Sequence, residues 1–541
     1  MPTFSLETLT PLRCRLILAA VLLIGFFSRF AYLNTNCPID LSGDEAHYWD
    51  WSRQLDWSYY SKGPAVAYVI RFGCLIFGDN DLGVRFPSLL LAIGASICTY
   101  WITARAFGSE RLALGAVMLC HVAPMFIAGS LLMTIDPPYY FAWAMATCLA
   151  FHAVTRGARW AWIGAGVFIG LSFLAKYAAL LWLVCLLIYL IVDKPQRRWL
   201  RTVWPWATIG VALLFTIPVI VWNMQHDWVT FGHVARSTTE NQSGLNPLTI
   251  LSNFGLMIGS QIGILNPILA GFMIGGAIMG IRNRATSVNP SVFRVSTDTH
   301  GFTPVALKAD PVAFLLCFSL PFLAFVAVVT IFKEIEPNWP AAAYFTLVPV
   351  GAWFVSRTWP RSKGWLIGAI AIGVVVVPLA HYSFLAYRLV PMPPKKWDPA
   401  ARLHGWKQIG EEVSLLLRQS DLHNPFVLCD KYQLAGLMAF YVQGQPKTYC
   451  AGSYWSDAKK RDRLSQYDMW PDRALDQDLL RGRDAIYVGQ DAEELGEVFD
   501  RVVKLPNLPI ERNGVVLREQ KIYVCYGFHG MTRPTDGKTK R

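Results

Sequence analysis

Residues 43–64 read GDEAHYWDWSRQLDWSYYSKGP: adjacent carboxylates at Asp44 and Glu45, a dense run of aromatic rings, then Lys62 ahead of Gly63-Pro64. A carboxylate held beside a hydroxyl can take its proton as the oxygen attacks. A lysine next to an apolar surface can stabilise negative charge on a departing group. Other groups able to do chemistry fall in short stretches between apolar runs: Asp136 in TIDPPYY, Lys176 in GLSFLAKYAAL, His226, His233 and Arg236 in 223–249, and Glu336 in EPNWPA. Each also has a plainer reading. Asp44 suits the cap of a helix starting at Glu45, and Glu45 suits a first turn, where the helix dipole favours acids. Asp136 ahead of two prolines is a helix-start pattern. Lys62 could be a snorkelling lysine, and Trp and Tyr gather at any membrane–water interface.

The elements that must position these groups are apolar. The chain has 541 residues, 54% hydrophobic and only 16% charged, with mean hydropathy +0.34. Soluble domains carry about 25% charged residues, so the balance points to a membrane protein. About 20 apolar residues cross the hydrocarbon as a helix. Eleven spans are expected, at 15–33, 83–104, 111–129, 137–155, 160–175, 177–192, 203–222, 250–280, 312–332, 340–355 and 365–388. Arg15 to Leu33 lacks a small-x-small cleavage site and reads as the first span rather than a signal peptide. Residues 63–78 are apolar around Arg71 and read as a helix lying at the interface.

The net charge of +12 is topological rather than a nucleic-acid signature. With these spans, seventeen Lys and Arg fall in the loops of one side and six in the loops of the other up to residue 388. That asymmetry is expected of an inner-membrane protein with its N-terminus inside. The side poor in basic residues holds Asp44, Glu45, Lys62, Asp136, Lys176, His226, Arg236 and Glu336, so the working face is extracytoplasmic. A group-transfer enzyme acting there, where no nucleotide-sugar pool exists, must draw an activated donor from the bilayer.

From residue 395 the apolar runs shorten and charge rises, which divides the chain into a membrane domain, 1–394, and an extracytoplasmic α/β domain, 395–541. HGWKQIGEEVSLLLRQ has apolar residues at helical spacing. PFVLCD, KYQLAGLMAFYV and KTYCAG read strand–helix–strand, DAIYVG, DAEELGEVFD and VVKL repeat the alternation, and GVVLREQKIYVCYG reads as a hairpin around Arg518–Gln520. The eleven cysteines show no zinc spacing. Cys429 and Cys450 fall where a disulfide is permitted.

GDEAHYWDW followed by YYSKGP resembles the first outer loop of polyprenyl-phosphate-sugar glycosyltransferases with the multi-span GT-C fold, a group that includes protein O-mannosyltransferases and lipid A aminoarabinose and galacturonic acid transferases. Members share an Asp-Glu pair after the first span, then Lys-Pro-Pro or His-Pro-Pro before an interfacial helix. Here that signature is Lys62-Gly63-Pro64, with Gly in place of the first Pro. TIDPPYY is similar to the acidic second outer loop, and GLSFLAKYAAL to a Gly-Leu-x-Phe-Leu-x-Lys turn of bacterial members. EPNWPA and DKYQLAGLMAFY extend the likeness over almost the whole chain.

The resemblance implies an inverting transfer from a polyprenyl-phosphate sugar to a lipid, polysaccharide or protein acceptor. It makes Asp44 the base, with Glu45 and Asp136 as its catalytic companions. Lys62 becomes the contact for the lipid phosphate, and Lys176, His226, Arg236 and Glu336 further substrate contacts. Tyr59 and Tyr60 are candidates to stack on sugar faces. No cofactor is required, and a divalent metal on Asp44 and Asp136 stays open, because some relatives bind one and others do without. A flippase of polyprenyl-linked sugars is the alternative, but it calls for internal repeats and midplane charges, and the acidic residues lie at span ends. A receptor anchoring the tail leaves the Asp-Glu and Lys-Gly-Pro loop without a purpose.

Overall fold

The first apolar run folds as a 24-residue helix, Pro11–Asn34 (α1). The computed structural model describes residues 9–35, 37, 39–239, 246–286, 309–381, 401–419, 421–457, 459–490, 492–512 and 515–534. The other helices used below, numbered in chain order, are α2 (Gly43–Ser52), α3 (Ala65–Phe77), α4 (Asp136–Arg156), α5 (Arg159–Ala175), α6 (Val229–Thr239) and α7 (Tyr432–Tyr441).

The chain gathers into two compact units: Met1–Ala31, Ser88–Trp222 and Ala235–Pro378 form one, and Tyr32–Pro87, Asn223–Val234 and Leu379–Arg541 the other. The division therefore does not follow the expected boundary at residue 394. The C-terminal segment takes residues 32–87 and the start of α6 into its own unit, because the rings and charges of that stretch pack on it.

The first unit is helical. Among the described residues five helices are long and apolar enough to cross a membrane: Pro11–Asn34, Asp81–Phe107, Trp204–Gln225, Pro247–Leu265 and Pro311–Phe332. A sixth candidate is Tyr177–Val192 with Lys194–Arg201, bent by 118°. The count of eleven is thus not reached by length and composition. The remaining expected spans are mostly present as shorter or less apolar helices, such as Glu110–His121, α4, α5, Ala341–Arg357 and Lys363–His381. Much of α4 is alanine buried among neighbours, and a helix surrounded by protein needs no strongly apolar, lipid-facing surface. The expected span 250–280 is two helices, Pro247–Leu265 and Pro267–Thr286, broken at Asn266 with φ 73°. Proline at 267 cannot donate into a continuous helical ladder.

The second unit carries a five-stranded sheet of order β2-β1-β3-β7-β4. Its strands are β1 (Phe426–Cys429), β2 (Thr448–Cys450), β3 (Ala485–Val488), β4 (Phe499–Lys504) and β7 (Ile522–Phe528); β5 (Leu508–Arg512) and β6 (Val515–Gln520) form a separate pair. Strand β1 pairs parallel with β2 and β3, while β7 runs antiparallel between β3 and β4. The parallel β1–β2 step needs a crossover, and α7 supplies it, as the strand–helix–strand reading anticipated. The expected closing hairpin does not form. Strand β6 pairs back with β5, and β7 returns to the central sheet. Every residue of β7 but two is buried, so it is a core strand and β6 is not its partner. Cys429 and Cys450 stand in register on neighbouring strands with free, buried thiols.

Helix α3 buries Val66, Ala67, Ile70, Gly73 and Cys74 in its unit and exposes Tyr68, Phe72, Leu75 and Ile76. A helix with an apolar outer face is what lying in a bilayer interface requires.

Candidate active site

Two polar centres carry the residues singled out from the sequence, one in each unit. The first is built on α2. Its cap is Ser42, not Asp44: Ser42 Oγ accepts from Glu45 N–H, and Glu45 Oε2 accepts from Ser42 N–H at 2.9 Å. This capping box relieves Asp44 of the structural task that a helix start would have given it.

Glu45 is fully buried in a two-pronged pair with Arg85, at 2.8 Å to Nε and 2.9 Å to Nη2. Arg85 in turn donates to the carbonyls of Ile39 and Asp40. Both Glu45 oxygens are therefore committed to holding the loop in shape.

Asp44 is solvent-exposed, yet it is set among enough protein that burial raises its carboxyl above the ordinary 3.8. Water access together with dense surroundings describes a recessed carboxylate. Lys62, Arg463 and Arg402 act against that rise by charge, and Gln433 by a hydrogen bond. The Gln433 side chain sits against Gly43, where an added Cβ would meet it at 2.6 Å.

The rings of the opening stretch do not form an interfacial belt, which corrects the plainer reading of them. Trp49, Trp51 and Tyr59 are wholly buried and Tyr60 nearly so, while Trp57 is the exposed one at 57%. Trp51 stacks on Tyr59 with centroids 4.3 Å apart, and Trp49 packs edge-on against Phe440 of α7. Tyr59 is consequently unavailable to stack on a sugar. Its hydroxyl accepts from Asp56 N–H and faces the carbonyls of Trp51 and Gln54. Tyr60 meets the ring of His233 at 5.0 Å and its N–H donates to Gln466.

Two buried groups tie α2 to the C-terminal sheet. Asp50 accepts from Tyr467 Oη at 2.8 Å and lies 3.5 Å from Arg473 Nη2. His47 is enclosed by Trp51, Tyr432 and Tyr467, with Gly436 against its backbone. Burial pushes its pKa down to about 3. It is a neutral core histidine, accepting from Trp51 Nε1.

Arg463 was not legible as a site residue. It lies in a loop of the tail between β2 and β3 and reaches Tyr432 Oη at 2.8 Å and His233 Nε2 at 3.4 Å. Nothing local in its sequence separates it from neighbouring loop arginines. Only α6, which brings His233, and α7, which brings Tyr432, give it a place.

The second centre is in the helical unit. Asp136 opens α4 with no side-chain cap, so the helix-start reading does not use its carboxylate. Lys176 Nζ donates to Asp136 Oδ1 at 3.0 Å, and Asn338 Nδ2 donates to Oδ2. Lys176 occupies the break between α5 and the short turn Tyr177–Leu180, with extended φ −150° and ψ 121°. Its ammonium also lies 5.4 Å from the centre of the Tyr139 ring. The turn 336–341 thus supplies Asn338 to this centre, whereas Glu336 is exposed and influences Lys333 by its charge. His226 is half-buried beside Asn223, whose carbonyl takes its N–H. The Arg236 side chain lies outside the described residues.

Among the described residues no three His, Cys, Asp or Glu side chains cluster as metal ligands would. Both oxygens of Asp136 accept, one from Lys176 and the other from Asn338.

The family model for dolichyl-phosphate-mannose-protein mannosyltransferases matches residues 61–222. The chain is 26% identical over 363 residues to a lipid A galacturonosyltransferase of Rhizobium johnstonii, covering 66% of this chain and 70% of that one. It is 28% identical over 166 residues to an undecaprenyl phosphate-aminodeoxyarabinose arabinosyl transferase of Pseudomonas aeruginosa, which spans only 30% of either chain. Its fold matches the crystal structure of ArnT from Cupriavidus metallidurans bound to undecaprenyl phosphate, with TM-score 0.60 over 94% of this chain and 97% of that one at 17% identity. The chain is a glycosyltransferase of the GT-C fold.

Proposed function

We propose that this glycosyltransferase moves a sugar from a polyprenyl-phosphate donor to a glycolipid acceptor on the extracytoplasmic face of the inner membrane, with inversion. The observation that carries the proposal is Asp44: recessed, open to water, free of the capping role, and flanked by Lys62 and Arg463. Relatives named for undecaprenyl-phosphate donors and for lipid A support the substrate classes.

Asp44 takes the proton of the acceptor hydroxyl as its oxygen attacks the anomeric carbon. The bond from that carbon to the phosphate oxygen breaks on the opposite side, and the lipid phosphate leaves with the electron pair. One displacement inverts the centre. Lys62, just before Gly63-Pro64 and α3, stabilises the charge that develops on the leaving oxygen. The exposed apolar face of α3 gives the polyprenyl chain and the bilayer a surface to lie against. Glu45 and Arg85 act at one remove, by fixing the turn that aims Asp44. In the helical unit, considered by itself, Asp136 holds Lys176 at the break after α5, where the ammonium is available to an anionic group.

The test is reconstitution in liposomes with a polyprenyl-phosphate sugar and a lipid A acceptor, followed by mass spectrometry of the lipids. The proposal requires a glycosylated acceptor and free polyprenyl phosphate in equal amounts. Sugar donor moved to the other leaflet with no acceptor product would support the flippase instead.

A further inference from the structure

The guanidinium of Arg463 is held in a manner that a purely structural arginine does not need. Nη2 donates to Tyr432 Oη at 2.8 Å, the group lies 5.4 Å from the centre of the same ring, and Nη1 is 3.4 Å from His233 Nε2. These contacts orient the planar fork, yet the residue as a whole stays solvent-exposed. Among the described residues no carboxylate stands within ion-pair distance of it. Burial works against its charge, but Tyr432 and Asp462 outweigh that, and it stays cationic.

Its position relative to the base is fixed by the chain. Tyr432 precedes Gln433, the residue that hydrogen-bonds Asp44, and the side chain of Gln433 rests on Gly43. Arg463 and Lys62 both act on the Asp44 carboxylate. One cation is enough to meet the phosphate of the donor at Lys62. The other is a pre-oriented fork, the geometry that matches a carboxylate or phosphate with two parallel hydrogen bonds.

We propose that Arg463 is a specificity residue: it recognises an anionic substituent, a carboxylate or a phosphate, on one of the two sugars brought to Asp44. The inference rests on the glycosyl-transfer reading above and deepens it by naming charge as a selected feature. The group has two sources, an acidic sugar on the donor or a phosphorylated sugar on the acceptor.

The experiment compares wild type, Arg463→Gln and Arg463→Lys in the liposome assay. Donors carrying an acidic or a neutral sugar are crossed with phosphorylated or dephosphorylated lipid A. Rates are taken well above the acidic limb of the pH profile, so that a change in Asp44 ionisation does not enter. Loss of the fork should lower kcat/KM by about 10- to 100-fold for the anionic member of one pair. Its neutral counterpart should fall far less, and Arg463→Lys should recover part of the difference. Sensitivity to the donor sugar assigns the carboxylate source, and sensitivity to lipid A phosphorylation the acceptor. Equal losses for charged and neutral substrates, or no loss in any combination, overturn the proposal while leaving transfer itself intact. Absence of transfer by wild type in every combination would instead count against the glycosyl-transfer reading.

Discussion

Asp136 and Asp44 both stand in the first turn of a helix that follows a loop, and their surroundings differ. Asp136 has each oxygen occupied, one by the Lys176 ammonium and the other by the Asn338 amide. Asp44 sits on a turn whose capping is done by Ser42 and whose charge is balanced by the buried Glu45–Arg85 pair. Its own carboxyl is left in a recess, with its pKa raised by burial. The contrast separates two uses of an acid. One is bound into an arrangement that positions a cation. The other has a hydrogen bond from Gln433 but no capping duty, because neighbours do the structural work for it, which leaves it able to accept a proton.

If that division holds, the supports of Asp44 should be costly to remove. Glu45→Ala strands Arg85 in a fully buried site, and breaking such a pair costs about 3–5 kcal/mol. A large fall in the melting temperature of the detergent-solubilised protein is the expected result, with a much smaller one for Glu45→Gln.

His47 provides a pH signature of the same packing. Its folded pKa of about 3 is below the ordinary 6.5, so between those values the unfolded chain binds the proton and the folded chain does not. Stability should therefore fall as pH drops through that window, by up to about 1.4 kcal/mol per pH unit. His47→Gln should flatten that slope in melts recorded across the range.

In the helical unit the Asp136–Lys176 pair is mostly shielded, at 24% and 17% side-chain exposure. A double-mutant cycle with Asp136→Asn and Lys176→Met should give a coupling of about 1–2 kcal/mol. Coupling near zero would mean that the pair is held by its surroundings and not by its own attraction. At the small end, Trp57→Ala removes an exposed ring and should change stability by no more than about 0.5 kcal/mol. The buried Trp51, six residues earlier in the chain, should not tolerate the same change.

Much of this was legible in the sequence because its signals are local. Apolar runs, the Lys176 break and the strand–helix–strand of the tail all depend on neighbours within a few residues, and each stands in the structure. The aromatic run was misread for the opposite reason. A Trp at a membrane interface and a Trp buried against α7 look alike along the chain, and only the fold brings Phe440 and Gly436 to meet α2. Arg463 escaped notice because its neighbours, Tyr432 and His233, are 31 and 230 positions away. Strand β6 was assigned to the wrong partner because two adjacent strands default to a hairpin, and burial of β7 on the central sheet overrides that preference.

The most direct test of the account is the single-turnover transfer rate of Asp44→Asn beside Asp136→Asn, in the same liposomes with saturating donor. Because the Asp44 carboxyl is raised in the fold, its ionised form lowers stability once pH exceeds that pKa. The Asn variant should then fold at least as well as wild type at neutral pH. Its rate should nevertheless fall by about 10²–10⁴-fold, while Asp136→Asn keeps a measurable acidic limb in its pH profile. An Asp44→Asn protein that transfers at the wild-type rate would contradict the assignment of the base.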